Sequence, residues 1–223
     1  FPTRRSSDLD LAPMAEAFSK MAGLVRRLKG DGLEVERLDL GGGLGVPYFN
    51  QPEPPSPADY ATVVAEATRG LEVTLAFEPG RVIAANAGVL LAKVLHIHER
   101  PEGRRFLVLD AAMNDLLRPA MYDAYHDIRA VSPRDGSAQP YDVVGPVCET
   151  GDTFTRDREL PPFEAGDLVA FMSAGAYGAS MASEYNSRPL APEVLVKGGE
   201  FAVVRPRPTY EEMLARETPA PWL

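Results

Sequence analysis

Residues 38–48 read "LDLGGGLGVPY", an apolar run that ends in three consecutive glycines, Gly41, Gly42 and Gly43, with a fourth at Gly45. Glycine packs no side chain and loses more conformational freedom on folding than any other residue. A run of glycines directly after a strand-like segment therefore indicates a turn that needs unusual backbone angles, or a turn that another group approaches closely.

The pattern around this turn predicts alternating helices and strands. Apolar residues recur at helical spacing over 13–29, and residues 58–70 form a second predicted helix with Pro57 near its start. Residues 34–40 and 72–81 are strand-like, and the second strand is broken by Pro79 and Gly80. The order helix, strand, helix, strand is typical of βα units around a parallel sheet.

After about residue 88 the sequence is dominated by strand-like segments separated by turns. These segments are "GVLLAKVLHIHER", "RRFLVLDA", "YDVVGPVCET", "GDLVAFMSAGAY" and "PEVLVKGGEFAVVRPR". They predict a mostly antiparallel β domain, with a short helix over 210–217 at its end.

The composition narrows the classes of function. The 223 residues carry a formal net charge of -9, which argues against nucleic acid or an anionic membrane as a partner. No apolar run is long enough for a transmembrane helix. The single cysteine, Cys148, and three histidines form no pattern typical of a disulfide framework or a zinc site. We therefore expect a cytoplasmic protein without a metal.

The glycine turn fails two familiar nucleotide-binding patterns. Val46 stands where a dinucleotide fingerprint needs its third glycine, and no Gly-Lys-Ser/Thr follows. Backbone N–H groups in such a turn can still cradle a phosphate, although a tight turn without a ligand explains the glycines equally well. In "EPGR", Glu78 can hold a cofactor's ring nitrogen protonated and Arg81 can pair with an anion, or the two form a surface ion pair.

Three later stretches carry further candidates. Arg118 and Tyr122 are spaced for one face of a helical turn and offer a cation and a phenol, or simply a polar helix face. Cys148 stands beside Glu149 in a polar loop, either as a reactive thiol or as a small buried hydrophobe. Tyr177 lies among small residues that permit close approach of a ligand, or that pack a β-turn.

Five stretches together resemble the diaminopimelate decarboxylases of the group-IV, pyridoxal-phosphate (PLP) dependent decarboxylase family. They are "LDLGGGLGVPY", "FEPGR", "LDAAMNDLLRPAMYDAYH", "VGPVCETGD" and "GAYGASMASEYNSRP", in the order that the family has them. The resemblance implies an α/β plus β fold, in which residues 10–88 are the last units of a PLP-binding (β/α)8 barrel. Residues 89–223 would form the C-terminal β domain, and residues 1–9 would be a non-native leader.

The resemblance also implies an activity, the PLP-dependent decarboxylation of meso-2,6-diaminopimelate to L-lysine, and roles for individual residues. The cofactor-binding positions would be Gly42, Gly43, Glu78, Pro79, Gly80, Arg81 and Tyr177. The substrate-binding positions would be Arg81, Arg118, Tyr122, Glu149 and Tyr177. Cys148 would donate the proton that replaces carbon dioxide. Cys148 and Glu149 would reach into the partner subunit's site, so the working unit would be a homodimer with shared active sites.

Two features depart from the family pattern. The Schiff-base lysine has no counterpart among Lys20, Lys29, Lys93 and Lys197, and the early barrel strands have no counterpart either. We therefore expect a truncated C-terminal fragment that is inactive alone. An ornithine- or arginine-type decarboxylase is the first alternative, but its substrate has no distal carboxylate for Arg118. A non-catalytic regulatory homologue that lost its lysine is the second alternative.

Overall fold

The computed structural model describes residues 10–49, 52–132 and 134–222, so the predicted leader at 1–9 lies outside the described residues. The chain divides into two compact units between Ala87 and Gly88. Within the described ranges, no helix is both long and apolar enough to cross a membrane.

The first unit contains the predicted order of helices and strands. Its elements are α1 (Ala12–Gly30), β1 (Arg37–Asp39), α2 (Pro57–Ala67), β2 (Thr74–Ala76) and α3 (Gly80–Ala84). The two strands pair in parallel, with Leu38 opposite Leu75. Both strands are shorter than the sequence predicts, and the second ends early because Pro79 turns the chain into α3.

The apolar face of α1 is narrower than its sequence pattern. Phe18 and Val25 are buried, whereas Met21 and Leu24 are each 41% exposed. The Phe18 ring meets Tyr60 of α2 edge-to-face at a centroid distance of 5.7 Å. Ser56 caps α2 by accepting a hydrogen bond from the Asp59 N–H, and Asp59 accepts one in return from the Ser56 N–H. These contacts enclose a small core against the two parallel strands.

The second unit is built on a six-stranded sheet in the order β5-β8-β3-β4-β6-β7. Its elements are β3 (Leu90–Glu99), β4 (Arg105–Leu109), α4 (Arg118–Tyr122), β5 (Ile128–Ala130), β6 (Gln139–Val144), β7 (Thr153–Leu160) and β8 (Leu168–Phe171), followed by β9 (Glu193–Lys197), β10 (Glu200–Arg205) and α5 (Tyr210–Leu214). Only the β4–β6 pair is parallel among the pairs of this sheet in the described residues, and β9 with β10 forms a separate antiparallel hairpin. The predicted fold class, α/β followed by mostly antiparallel β, is confirmed.

Strands β5 and β7 are not predicted by the sequence pattern. They are the two edge strands of the six-stranded sheet. β7 reads "TFTRDREL", and four successive charged residues hide its alternation. Charged side chains are common on edge strands, where they discourage pairing with another chain.

Three loops leave this sheet at the same end of its strands, and buried side chains anchor each of those strands. Leu107, Val143 and Phe171, from β4, β6 and β8, are all 0% exposed. β4 and β6 are parallel, and β8 runs the same way because both β4 and β8 pair antiparallel with β3. The C-terminal ends of all three strands therefore lie on the same side of the sheet, which we call the same sheet edge. The loops that start at residues 110, 145 and 172 begin there.

Candidate functional site

The glycine turn after β1 lies against the turn after β2. The parallel ladder continues past the strands, since the Leu40 N–H donates to Ala76 O at 3.1 Å and the Glu78 N–H to Gly41 O at 2.8 Å. A Cβ on Gly42 would stand 2.2 Å from Glu78 O, a distance that no side chain tolerates. Close approach of backbone to backbone is therefore one reason for glycine here.

The donors of this turn suit a phosphate ester. Among the described residues, the N–H groups of Gly42 and Gly43 have no hydrogen-bond acceptor. Gly43 has a φ of +100°, a left-handed conformation that glycine adopts without strain. Arg81 brings a cation to the same turn, since its Nη2 donates to Gly43 O at 3.3 Å. The Gly80 N–H donates to Glu78 O at 2.8 Å and closes the Glu78–Gly80 turn around Pro79. Glu78 itself is exposed.

Arg118 and Tyr177 come together in the second unit. Arg118 is the first residue of α4, and its Cζ lies 5.7 Å from the centroid of the Tyr177 ring. Tyr177 has a φ of +62° and is 46% exposed, so the ring is presented at the surface of this unit. Tyr122, one helical turn after Arg118, is 49% exposed. A guanidinium over a phenol ring forms a cation–π pair, and a guanidinium is also a donor group suited to an anion.

Next to this pair lies a buried histidine, His126, that no sequence motif indicates. His126 Nδ1 is 2.9 Å from Met172 O, and its Nε2 is 3.4 Å from Arg118 Nη1. Burial lowers the pKa of His126, and the positive charge of Arg118 adds to this effect. The histidines of the sequence show only that a zinc pattern is missing. His126 lies eight positions after Arg118. Because α4 ends at Tyr122, no shared helix face predicts that the two side chains meet.

Cys148 and Glu149 lie on the loop after β6, and the cysteine is exposed rather than buried. The loop is fastened at its end by Asp152, which is 3% exposed. The two Asp152 oxygens accept hydrogen bonds from the Met113 and Val147 N–H groups, both at 2.7 Å. Burial raises the pKa of Asp152, although these two hydrogen bonds oppose the rise.

A second loop approaches Cys148 from the segment after Tyr177. Asn186 Nδ2 donates to Cys148 Sγ at 3.7 Å. Asn114 holds this segment by exchanging hydrogen bonds of 3.0 Å with the backbone of Ser183. Arg188 holds its other end through Asp110 O. The segment 110–115 thus supports both the cysteine loop and its neighbour.

The structure therefore collects the predicted residues into three groups. Gly42, Gly43, Glu78, Pro79, Gly80 and Arg81 form the first group, in the first unit. Arg118 and Tyr177 form the second group, with Tyr122 on the same short helix as Arg118. Cys148 and Glu149 form the third, on a separate loop at the same sheet edge as the Tyr177 loop. Within the described part of the chain, no three His, Cys, Asp or Glu side chains are grouped to hold a metal ion.

Comparison with known proteins gives consistent matches. The family model described as "Pyridoxal-dependent decarboxylase, C-terminal sheet domain" matches residues 17–175. The diaminopimelate decarboxylase of Zymomonas mobilis is 52% identical over 217 residues, which cover 96% of this chain and 51% of that protein. The chain thus spans about half the length of the curated relatives that it matches.

Two solved structures of decarboxylases are similar to this chain to different degrees. The diaminopimelate decarboxylase of Helicobacter pylori, complexed with L-lysine, is 42% identical with a TM-score of 0.86, covering 93% of this chain and 51% of that one. A lysine/ornithine decarboxylase of Vibrio vulnificus, complexed with putrescine, is 28% identical with a TM-score of 0.72, covering 83% and 50%. The fold is shared with both proteins, and the sequence is more similar to the first.

Proposed function

Because the chain belongs to the pyridoxal-dependent decarboxylase family, we propose that it is part of an enzyme that converts meso-2,6-diaminopimelate to L-lysine. The observation that carries the substrate assignment is Arg118, whose guanidinium is oriented between Tyr177 and His126. Diaminopimelate has a distal carboxylate for this cation, whereas ornithine and arginine have none. The higher identity to diaminopimelate decarboxylases than to the lysine/ornithine decarboxylase supports the same choice.

We propose residues 10–88 as the part that binds the cofactor's phosphate and residues 89–223 as the β domain. The glycine turn fits a phosphate, because the N–H groups of Gly42 and Gly43 are available as donors and Arg81 brings a cation to the same turn. PLP, when bound, supplies an electron sink for the pair left by the departing carboxylate. Glu78, exposed at the end of the second strand, would keep a proton on the ring nitrogen.

Residues of the second unit would act on the substrate. Arg118 donates charge-assisted hydrogen bonds to the distal carboxylate, and Tyr122 on the same helix adds a phenol. Glu149 takes the distal ammonium group. The Sγ of Cys148 donates its proton to the carbon that has lost carbon dioxide, and solvent returns a proton to the thiolate. We further propose that Cys148 and Glu149 complete the site of a second subunit in a homodimer.

A chimaera tests this function. Residues 10–222 replace the matching segment of the Zymomonas mobilis diaminopimelate decarboxylase, and carbon dioxide release is measured from diaminopimelate, ornithine and arginine. We expect turnover of diaminopimelate alone. A chimaera that prefers ornithine or arginine would overturn the substrate assignment, and one that binds PLP without any turnover would favour a regulatory role.

The Arg118→Met variant of the chimaera tests the observation that carries the assignment. Loss of a hydrogen bond to a charged group costs about 1.5–3 kcal/mol, so kcat/KM for diaminopimelate should fall roughly 10- to 100-fold. Arg156→Met, at an exposed arginine of β7, is the matched control and should change little. Equal kcat/KM values in the two variants would remove Arg118 from the site.

A further inference from the structure

We propose that His126 is a positioning residue that orients the Arg118 guanidinium without neutralising its charge. The proposal rests on the proposed function for the role of Arg118 in substrate binding. The contacts between the two side chains, however, stand on the structure of the second unit alone.

The hydrogen bonds of His126 define its tautomer. Met172 O is a carbonyl oxygen and can only accept, so Nδ1 at 2.9 Å must carry the hydrogen. In a neutral imidazole the other nitrogen is then an acceptor. This acceptor, Nε2, faces the Arg118 Nη1 donor at 3.4 Å. A relay therefore runs from the Arg118 N–H through the ring to the Met172 carbonyl.

The surroundings of His126 favour the neutral ring. The residue is 3% exposed, and the positive charge of Arg118 disfavours a second positive charge beside it. The Arg158 guanidinium approaches from β7, with Nη1 3.4 Å from His126 O and Cζ 4.3 Å from the Tyr125 ring. From the β5 side comes Asp127, whose carboxylate pairs with Arg129 at 2.6 Å. The carbonyl of Met172, at the end of β8, brings no formal charge.

The carbonyl that holds the ring is itself fixed. The Met172 N–H donates to Asp127 O at 2.8 Å, in continuation of the β5–β8 ladder. His126, held by the sheet, thus restrains the Arg118 side chain on the short helix α4. Arginine loses up to about 2 kcal/mol of rotamer entropy when it is ordered, so fixing it before a ligand arrives lowers the cost of binding.

A neutral imidazole suits this task better than a carboxylate does. A carboxylate beside Arg118 would form an ion pair and compete with an anionic ligand for the same N–H groups. The imidazole accepts one hydrogen bond from the guanidinium and, being neutral, does not cancel its positive charge. The Tyr177 ring restrains the guanidinium from its face, and His126 adds a directional contact from its edge.

The first test needs no catalysis. The chain has three histidines, so long-range proton–nitrogen NMR spectra of the 223-residue protein, with His126→Asn for assignment, report His126 separately. We expect a neutral ring protonated at Nδ1 near pH 7. Arg118→Met should raise the pH at which His126 titrates, because it removes the adjacent positive charge, and Arg156→Met should not. An Nε2–H tautomer, or a titration unchanged by Arg118→Met, would overturn the proposal.

The second test uses the chimaera and two substitutions of the same ring. In His126→Asn the amide can still donate to Met172 O but does not extend to the position of Nε2, whereas His126→Gln offers an oxygen near that position. We expect KM for diaminopimelate to rise about fivefold in the Asn variant and about twofold at most in the Gln variant, with kcat little changed, as for one hydrogen bond of about 1 kcal/mol.

The double variant with Arg118→Met separates positioning from general destabilisation. If His126 acts through Arg118, His126→Asn should raise KM no further once Arg118 is absent. An equal rise in both backgrounds would overturn the proposal. Absence of diaminopimelate turnover in the unsubstituted chimaera would instead count against the proposed function, and the NMR result would still decide the contact between His126 and Arg118.

Discussion

The buried carboxylate of Asp152 permits a quantitative prediction about the loop that carries Cys148. Asp152→Asn keeps the shape of the side chain but replaces one acceptor oxygen by an NH2 group. The two oxygens now serve the Met113 and Val147 N–H groups at 2.7 Å each, so one N–H loses its acceptor. The side chain is 3% exposed, and water therefore cannot easily replace the lost contact.

Two effects of opposite sign decide how much Asp152→Asn changes the free energy of unfolding. An unsatisfied buried N–H costs about 1–3 kcal/mol. Against this, burial raises the pKa of Asp152, so the ionised carboxylate itself lowers the stability at neutral pH, and asparagine avoids that cost. The hydrogen bonds and the nearby Arg188 already offset part of the burial. We therefore expect a net loss of about 1–2 kcal/mol at pH 7.

The pH dependence separates the two effects. Because the pKa of Asp152 in the folded state lies above the ordinary value of 3.8, the folded protein binds more protons between 3.8 and that raised pKa. The contribution of Asp152 to stability therefore grows as the pH falls through this window, by at most about 1.4 kcal/mol per pH unit. The asparagine variant lacks this contribution. The free energy of unfolding of the unsubstituted protein should therefore exceed that of the variant by a growing amount toward pH 4.

Urea unfolding at several pH values measures this difference. Asp135→Asn, at an exposed position, makes the same change of charge and serves as the control. The single thiol provides an independent readout, since any alkylation of the chain reports Cys148. Asp152→Asn should change the rate of alkylation because it loosens the loop. If Asp152→Asn matches Asp135→Asn in both stability and alkylation, Asp152 does not hold the loop.

Two further substitutions test the close contacts of the other loops. Gly42→Ala should lower the free energy of unfolding by more than Gly41→Ala does, because a Cβ at Gly42 would stand 2.2 Å from the Glu78 carbonyl oxygen. A Cβ at Gly41 would meet open space. Only its φ of +71° would then cause strain, of about 1 kcal/mol. Equal losses in urea unfolding would contradict the close approach. Asn186→Gly and Asn186→Ala should both slow alkylation of Cys148 about threefold, because each removes the amide that donates to the sulfur, a contact of about 0.6 kcal/mol. Asn186 has a φ of 55°, which glycine adopts freely, so an effect in the alanine variant alone would assign the change to backbone strain rather than to the amide.

The sequence predicts what depends on local spacing. The helix over α1 follows from apolar periodicity, and the strand-to-turn transition at Gly41–Gly43 follows from composition. The bounds of β1 and β2 could not be predicted, because a strand extends only as far as its partner pairs with it, and the pairing covers three residues on each side. The wide apolar stripe of α1 likewise could not reveal that Met21 and Leu24 are left exposed.

The site residues that no motif predicts depend on contacts between distant parts of the chain. Asp152 reaches Met113 across 39 positions, Asn186 reaches Cys148 across 38, and His126 reaches Met172 across 46. No motif spacing encodes these separations, because they arise from β4, β6 and β8 running in the same direction in one sheet. The strand order β5-β8-β3-β4-β6-β7 places the Met172 carbonyl beside the start of β5, so that the sheet itself supplies the acceptor that fixes His126 and, through it, Arg118.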